Sequence, residues 1–496
     1  MARQLTTKAQ VNGYRFLLKR LEHALVRRDV RMLHDPMRTQ LQALTVGLVL
    51  GLLLLAGCGI WGVVRPQGAV GDEKIVISKD GGGTYVLVDG TLHPVLNLAS
   101  ARLIVGSADS PKSVADKKLD GFPRGPLLGI PGAPGALHSS AQGHESSWTV
   151  CDSSSTTPGT PVESIELSVI GDHPRLDDRI GTAASTDAAL VTSGGLTFLV
   201  YHVEGAGSPT PVRAQIDTDD VPVLRALGAE GVRPRQISTA LLNSFPRVDD
   251  LRVPVIRDAG LPAAGLPGVR IGSVVKTTGL HDESHYHVVL ADGVQPIGAL
   301  TAEILRLADR GGTIPVITLS PGQVAAMPVA ASLPVGAFPV RRPRLLDTGT
   351  APVLCRSWTR GSRPAAVTTL LAGRSLPLPA DARPVHMTST DGAGPGVDRV
   401  YLRPGSGEYV QATGDESDSR RAESLFYVSD SGVRFGVPDI GTGTVLGLGD
   451  SPRAAPWSII GLLAAGPTLS RPAALVSHDG LAPNPSAGVV ADPSGR

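Results

Sequence analysis

The fold class this sequence predicts is α+β and β-rich, with one membrane-spanning helix, and three observations predict it. An uncharged apolar run from about Ala43 to Val64 follows a basic leader and precedes a long mixed remainder. The 496-residue chain holds 59 glycines and 41 prolines, about a fifth of all positions where about 12% is usual, and only 4% aromatic residues. That composition calls for many turns joining short strands. Strand-like runs also return at four places along the chain with a shared turn grammar.

The leader comes first. Between Val11 and Arg31, the residues Tyr14, Leu17, Leu18, Leu21 and Leu25 recur at helical spacing, while Arg27, Arg28 and other basic residues fill the opposite face. An amphipathic basic helix of this kind fits the anionic inner leaflet of a membrane or the groove of a cytoplasmic partner. A plain stop-transfer segment fits the same periodicity.

The apolar run is long enough to cross a bilayer, which takes roughly 20 apolar residues as a helix because no water is left to satisfy the backbone. Before it, nine Lys and Arg residues outnumber Glu22, Asp29 and Asp35; after it, Arg65 is soon offset by Asp72 and Glu73. The positive-inside rule therefore keeps the leader in the cytoplasm and exports the large C-terminal region to the periplasmic or extracellular side. A cleaved signal peptide is disfavoured by so long a leader. Leu55-Ala56-Gly57-Cys58 resembles a lipobox, but apolar sequence continues through Ile60, Trp61, Val63 and Val64, and Cys58 reads as a free membrane thiol. Net charge is +1, with the basic surplus in the leader, so nothing points to nucleic acid.

In the exported region, Thr84–Gly90 and Tyr427–Val433 are strands leading into turns. Gly106-Ser107-Ala108-Asp109-Ser110-Pro111 parallels Gly447-Leu448-Gly449-Asp450-Ser451-Pro452, and each is followed at the same interval by Gly-Pro, at Gly125-Pro126 and Gly466-Pro467. Weaker copies begin near Leu196 and Tyr286. The expected organisation is 1–40 cytoplasmic helix, 41–65 transmembrane helix, 74–135 first repeat, 147–194 first part of a core, 195–270 and 271–343 second and third repeats, 344–423 second part of the core, 424–478 fourth repeat and 479–496 flexible tail. Mobility is also expected at 131–147 and 360–396, rich in Gly, Pro, Ser and Ala.

The core carries two cysteines, in Trp148-Thr149-Val150-Cys151 and Cys355-Arg356-Ser357-Trp358, each three positions from a tryptophan and in mirrored order. An even pair in an oxidising compartment reads as a disulfide, with Trp148 and Trp358 as core packing. Two buried free thiols are the competing reading. A metal site is not supported, for want of CxxC spacing.

The run from Gln10-Val11-Asn12-Gly13-Tyr14-Arg15-Phe16-Leu17 to Arg31-Met32-Leu33-His34-Asp35-Pro36 closely resembles the N-terminus of EccB, a membrane component of actinobacterial type VII (ESX) secretion systems. The resemblance continues through the span, through Leu92-His93-Pro94-Val95-Leu96-Asn97-Leu98-Ala99-Ser100-Ala101-Arg102-Leu103 and through both cysteine-tryptophan motifs. It implies an elongated periplasmic part with a core and four repeats. It also implies self-association and partners of the EccC, EccD and EccE types, with a mycosin protease outside.

Proteins resembling EccB have been labelled ATPases, and that activity calls for a nucleotide site. A P-loop needs Gly-Lys-Ser/Thr, and no Gly-Lys dipeptide occurs; the nearest approach, Gly272-Ser273-Val274-Val275-Lys276-Thr277-Thr278, has β-branched neighbours that favour a strand. His281-Asp282-Glu283-Ser284-His285-Tyr286-His287 gathers imidazoles and carboxylates, yet fits no HExxH helix and reads as a solvated turn. No Gly-x-Ser-x-Gly elbow is present. No catalytic residue, cofactor or metal is therefore assigned. The expected role is a structural subunit of the secretion membrane complex; the alternatives are a peptidoglycan-binding anchor and an ATP-hydrolysing component without a recognisable P-loop.

Overall fold

The computed structural model describes residues 7–28, 36–64, 73–156, 163–204, 209–279, 282–309, 316–361, 365–391, 394 and 396–482. The chain divides into two units, Met1–Gly71 and Asp72–Arg496.

The first unit is helical. One helix spans Lys8–Arg27; its first turn begins where the Gln10 side chain accepts the Thr7 N–H at 3.0 Å, and it ends at Arg28 in the left-handed region, φ 53°. A second helix spans Pro36–Val64, and its stretch Gln42–Trp61, of mean hydropathy 2.4, is long and apolar enough to cross a membrane. Residues 29–31 of the expected leader helix lie outside the described residues.

In the second unit, among the described residues, one topology occurs four times. Three antiparallel strands form a meander, a helix follows, a fourth strand lies parallel to the first, and after a short second helix the chain bridges parallel to the third strand. In the first copy the strands are Ile75–Ser78, Thr84–Val88, Thr91–Pro94 and Lys112–Val114, with the helix Leu98–Val105. The second uses Asp187–Ser193, Leu196–Val203, Thr210–Ile216 and Arg235–Gln236 around Val221–Leu227. The third uses Val274–Thr278, Ser284–Leu290, Gly293–Ile297 and Val316–Thr318 around Ala299–Ala308. The fourth uses Gly407–Thr413, Leu425–Ser429, Val433–Val437 and Arg453–Pro456 around Ile440–Leu446.

The repeated sequence signals now have a physical cause. Gly106 and Gly447 both end the module helix at φ 79°, a left-handed position that a side chain resists. Asn97 and Asp439 cap the starts of the same helices, accepting the N–H of Ser100 and Thr442. At Gly125 and Gly466 an added Cβ would collide with the His93 ring and the Phe435 ring, which occupy equivalent places on the third strand.

Two of these sheets begin earlier than the turn signals suggest. Asp187–Ser193 falls in the 147–194 segment and Gly407–Thr413 in the 344–423 segment, both expected to be core, yet Ala189–Ser193 and Gly407–Gln411 pair with the strands that follow them in their modules. No turn residue marks such a strand as belonging to a repeat.

The modules pack in pairs through their helices. Leu98–Val105 lies against Ile440–Leu446, and Val221–Leu227 against Ala299–Ala308. The first and fourth modules thus share a core that includes Ile75, Leu103, Tyr427, Phe435 and Leu446. The second and third share Leu199, Leu227, Val288, Leu300 and Ile304.

Between the pairs lies a seven-stranded sheet, in the order Val385–His386, Arg399–Tyr401, Glu163–Ile170, Ser146–Thr156, Val353–Arg360, Val367–Gly373 and Ile180–Thr182. One of its faces is buried with Phe198, Val200 and Phe245 of the second module and with Phe426, Val428 and Ile459 of the fourth.

The segments expected to be mobile are partly built in. His138 donates its backbone N–H to the Tyr427 hydroxyl, Ser140 bonds Glu408, and Gln142 donates to the Gly171 carbonyl, so 131–147 is pinned to the fourth module and the sheet. Within 360–396, Val367–Gly373 is a central-sheet strand: its Leu370 and Leu371 are buried, and small polar flanks concealed an ordinary β run. Residues 483–496 of the expected tail lie outside the described residues.

Candidate functional site

The chemistry-bearing pair of the sequence sits at the centre of the seven-stranded sheet. Ser146–Thr156 and Val353–Arg360 are antiparallel neighbours, with Cys151 opposite Cys355 and Trp148 opposite Trp358. Antiparallel pairing reverses one strand against the other, so the mirrored order of the two motifs is what this register requires. The cysteines are joined as a disulfide across 204 positions of sequence.

Three-residue spacing places cysteine and tryptophan on opposite faces of the strand. The disulfide lies in a small cluster with Ile180, Leu371 and Tyr401. Both tryptophans lie on the other face, fully buried among the residues shared with the second and fourth modules. Trp148 donates its Nε1–H to Ser146 Oγ at 3.1 Å.

Two charged residues beside the cysteines share that tryptophan face. Asp152 accepts both the backbone N–H of Ser238, at 2.6 Å, and its hydroxyl, at 2.8 Å, where the short helix Thr239–Ser244 of the second module begins. Burial pushes its carboxyl up to about 6, against the opposing pull of the Ser238 hydrogen bonds. Arg356, 1% exposed, donates to Asp415 Oδ1 at 3.0 Å, and Ser458 of the fourth module donates to the same oxygen at 2.6 Å. Burial lowers the guanidinium's pKa, with Asp415 opposing. One strand thus reaches the second module through a carboxylate and its neighbour reaches the fourth through a guanidinium. Sequence reasoning missed both, although a charge inside an apolar β run, as in Val150-Cys151-Asp152 and Leu354-Cys355-Arg356, was the available signal.

The leader residues are placed differently. Tyr14, Leu17, Leu18, Leu21 and Leu25 are all exposed on Lys8–Arg27, a helix with no buried residue; Arg27 lies in its last turn and Arg28 caps it. Cys58 is a free, exposed cysteine on the apolar helix.

The segment nearest a P-loop is a strand, Val274–Thr278, so Lys276 stands in a sheet and not in a glycine cradle before a helix. His285 and His287 share one face of the adjacent strand, and His285 Nε2 lies 4.0 Å from Glu283 Oε2. Burial and neighbouring His285 hold the His287 imidazole below its usual pKa. Among the described residues no group of three or more His, Cys, Asp and Glu is placed to hold a metal; His281 lies outside them.

A family model described as "Type VII secretion system ESX-1, transport TM domain B" matches residues 3–483. The chain belongs to the EccB family of type VII secretion systems. Among EccB relatives, "ESX-3 secretion system ATPase EccB3" of Mycolicibacterium smegmatis is 38% identical over 98% of this chain and 93% of its own. "ESX-1 secretion system ATPase EccB1" of Mycobacterium tuberculosis is 36% identical over 98% of each. Among solved structures, a chain of an intact ESX-5 inner membrane complex is matched with a TM-score of 0.74 at 34% identity, covering 99% of both chains. The EccB3 dimer from the ESX-3 core complex is matched at 0.70 and 36% identity, over 82% of this chain and 100% of that one. The EccB fold of these structures is the strand-rich α+β architecture described above.

Proposed function

We propose that this EccB-family chain is a structural subunit of a type VII inner-membrane complex, anchoring it and assembling its periplasmic side for protein export. The observation that carries the reading is coverage: 99% of the chain is matched by a subunit of an intact ESX-5 inner membrane complex, anchor and body together. The apolar helix is the tether. The basic leader stays in the cytoplasm and lays Tyr14, Leu17, Leu18, Leu21 and Leu25 on membrane or partner, with Arg27 and Arg28 beside them. The disulfide-bearing body lies in the periplasm, where self-association and a mycosin protease meet it, and subunits of the EccC, EccD and EccE types are its membrane neighbours, EccC being the motor.

The modules support this reading as binding surfaces, since repeats that share one core in pairs leave several similar faces outward. Native mass measurement of the detergent-extracted complex tests it: several copies of this chain with other membrane subunits is the expected result, and a lone monomeric chain overturns it. The name ATPase carried by relatives favours a second reading, in which the chain itself hydrolyses ATP. Turnover that survives removal of every other ATPase from the preparation would establish that reading. The chain offers it no Gly-Lys cradle.

A further inference from the structure

We propose that His285, His287 and Glu283 of the third module form a binding site for a divalent transition ion of the zinc class, set in the cleft beside its second strand. Neither the fold nor the assembly reading requires such a site, so it stands or falls alone.

Strand periodicity supplies the geometry. Side chains two positions apart on a strand point to the same face, so a His-x-His run turns two imidazoles toward one region. His285 and His287 are such a run on Ser284–Leu290, and Glu283 continues the alternation just ahead of it. Glu283 Oε2 lies 4.0 Å from His285 Nε2. All three residues line one cleft of about 670 Å³, together with Thr277, Pro296 and Val324.

His287 has one ring nitrogen to offer. Its Nδ1 is buried with no hydrogen-bond partner among the described residues, which leaves Nε2 as the atom that faces the cleft. The ring stands on an apolar floor: Val275 and Pro296 are its neighbours on the adjoining strands, and Val289, two positions on, is buried with Leu266 and Val269. An apolar shell of this kind limits the access of water to a bound ion.

The sibling modules show that packing does not demand these imidazoles. Strand register places His287 where the other three carry Tyr85, Phe198 and Phe426, and His285 where they carry Gly83, Leu196 and Ser424. The same fold is built without histidine at either position. Two imidazoles on one face of one module therefore point to a ligand.

Donor chemistry selects the ion. Imidazole and carboxylate together suit zinc and its transition-series neighbours, whereas calcium and magnesium take oxygen donors. Donors on one tetrahedral ion stand roughly 3.4 Å apart, given metal–ligand bonds of about 2.0–2.1 Å. The gap between Glu283 and His285 closes to that by side-chain rotation, which is free at side chains 74% and 59% exposed. Three protein donors leave the fourth position to water from the cleft.

The test uses the full chain in detergent, purified through a tag without histidine, stripped with chelator and titrated with zinc chloride by calorimetry. One ion per chain is expected, and cobalt in its place is expected to give the strong visible absorption of a four-coordinate site. His287→Phe and His285→Ser install the residues that the fourth module carries at these positions, so each change has a precedent in the same fold. Each is expected to weaken zinc binding by at least the roughly tenfold that even a metal's outer partners are worth, and Glu283→Gln to weaken it several-fold. A parent chain that takes up no zinc, or histidine variants that bind it as the parent does, overturns the site. Labelling with diethyl pyrocarbonate puts the same question to the unaltered protein. Zinc is expected to protect His285 several-fold, and undiminished labelling overturns the site even where a variant fails to fold.

Discussion

At the scale of single residues, Asp152 joins the central sheet to the second module at the cost of a buried charge. Its carboxyl titrates near 6 in the folded chain against 3.8 as the ordinary value. Folding therefore raises its proton affinity, the folded state holds the extra proton between those two values, and the stability this group contributes falls as pH rises through that window. Two units correspond to up to about 3 kcal/mol. Comparing Asp152→Asn with the parent chain isolates the effect from other carboxylates such as Asp177, which the Arg179 hydrogen bond holds below the usual range. Urea unfolding of both proteins from pH 7 to pH 4 is expected to show the parent gaining on the variant as pH falls. A pH-independent difference would mean that the Asp152 carboxyl is not perturbed. Arg356 poses the complementary case. Its guanidinium is tolerated in the core because Asp415 and Ser458 complete a network across to the fourth module.

Elements divide into those whose ends were written in local chemistry and those defined only by distant partners. The ends of Leu98–Val105 and Ile440–Leu446 were only half read: Gly106 and Gly447 stood out in the repeated turn motifs, whereas the caps Asn97 and Asp439 were missed, although a cap and a left-handed turn restrict residue type whatever surrounds them. Asp187–Ser193 and Gly407–Thr413 were assigned to the core and not to a module, because membership is set by pairing with neighbours and leaves no local mark. The leader helix was legible through its 3.6-residue period, and its exposed stripe leads to a prediction. Leu17→Asp with Leu21→Asp removes side chains that are 57% and 62% exposed, so thermal unfolding of the body should shift by no more than about 0.5 kcal/mol. Co-purification of the other membrane subunits should nevertheless fall. Unchanged co-purification would leave the helix a topogenic element. At the other end of the body, the segment after Gly466 closes the pair of first and fourth modules. Leu469 and Ala474 are buried in the shared core, and Ser477–His478 pairs with Leu127–Leu128 of the first module. Leu469→Ala should cost about 2–5 kcal/mol. Hydrogen exchange should report that loss first in Leu98–Val105 and around Leu128; uniform loss across all four modules would contradict a local closure.

Over the second unit, sequence neighbours are not always spatial neighbours: the first module completes its core only with the fourth, and the central sheet draws strands from both sides of the second and third. Such long-range pairing was invisible in the sequence except at one place, the mirrored Trp148-Thr149-Val150-Cys151 and Cys355-Arg356-Ser357-Trp358, where antiparallel register left its trace. The disulfide closes the base of the inserted second and third modules, over a separation of 204 positions. A loop of that length loses entropy worth up to roughly 5 kcal/mol in the unfolded chain when it is closed. The native strands do not depend on the bond for their register, because Val353–Arg360 pairs with Ser146–Ser153 along its whole length and both tryptophans are packed between the same partners. Cys151→Ala with Cys355→Ala should therefore keep the fold and lower the unfolding free energy by about 2–5 kcal/mol, with a matching fall in the urea midpoint. Adding reductant to the parent chain should reproduce most of that drop and leave the double variant unmoved. A midpoint insensitive to both changes would mean that strand pairing alone holds the two halves of the core, and that the crosslink limits nothing in the unfolded chain.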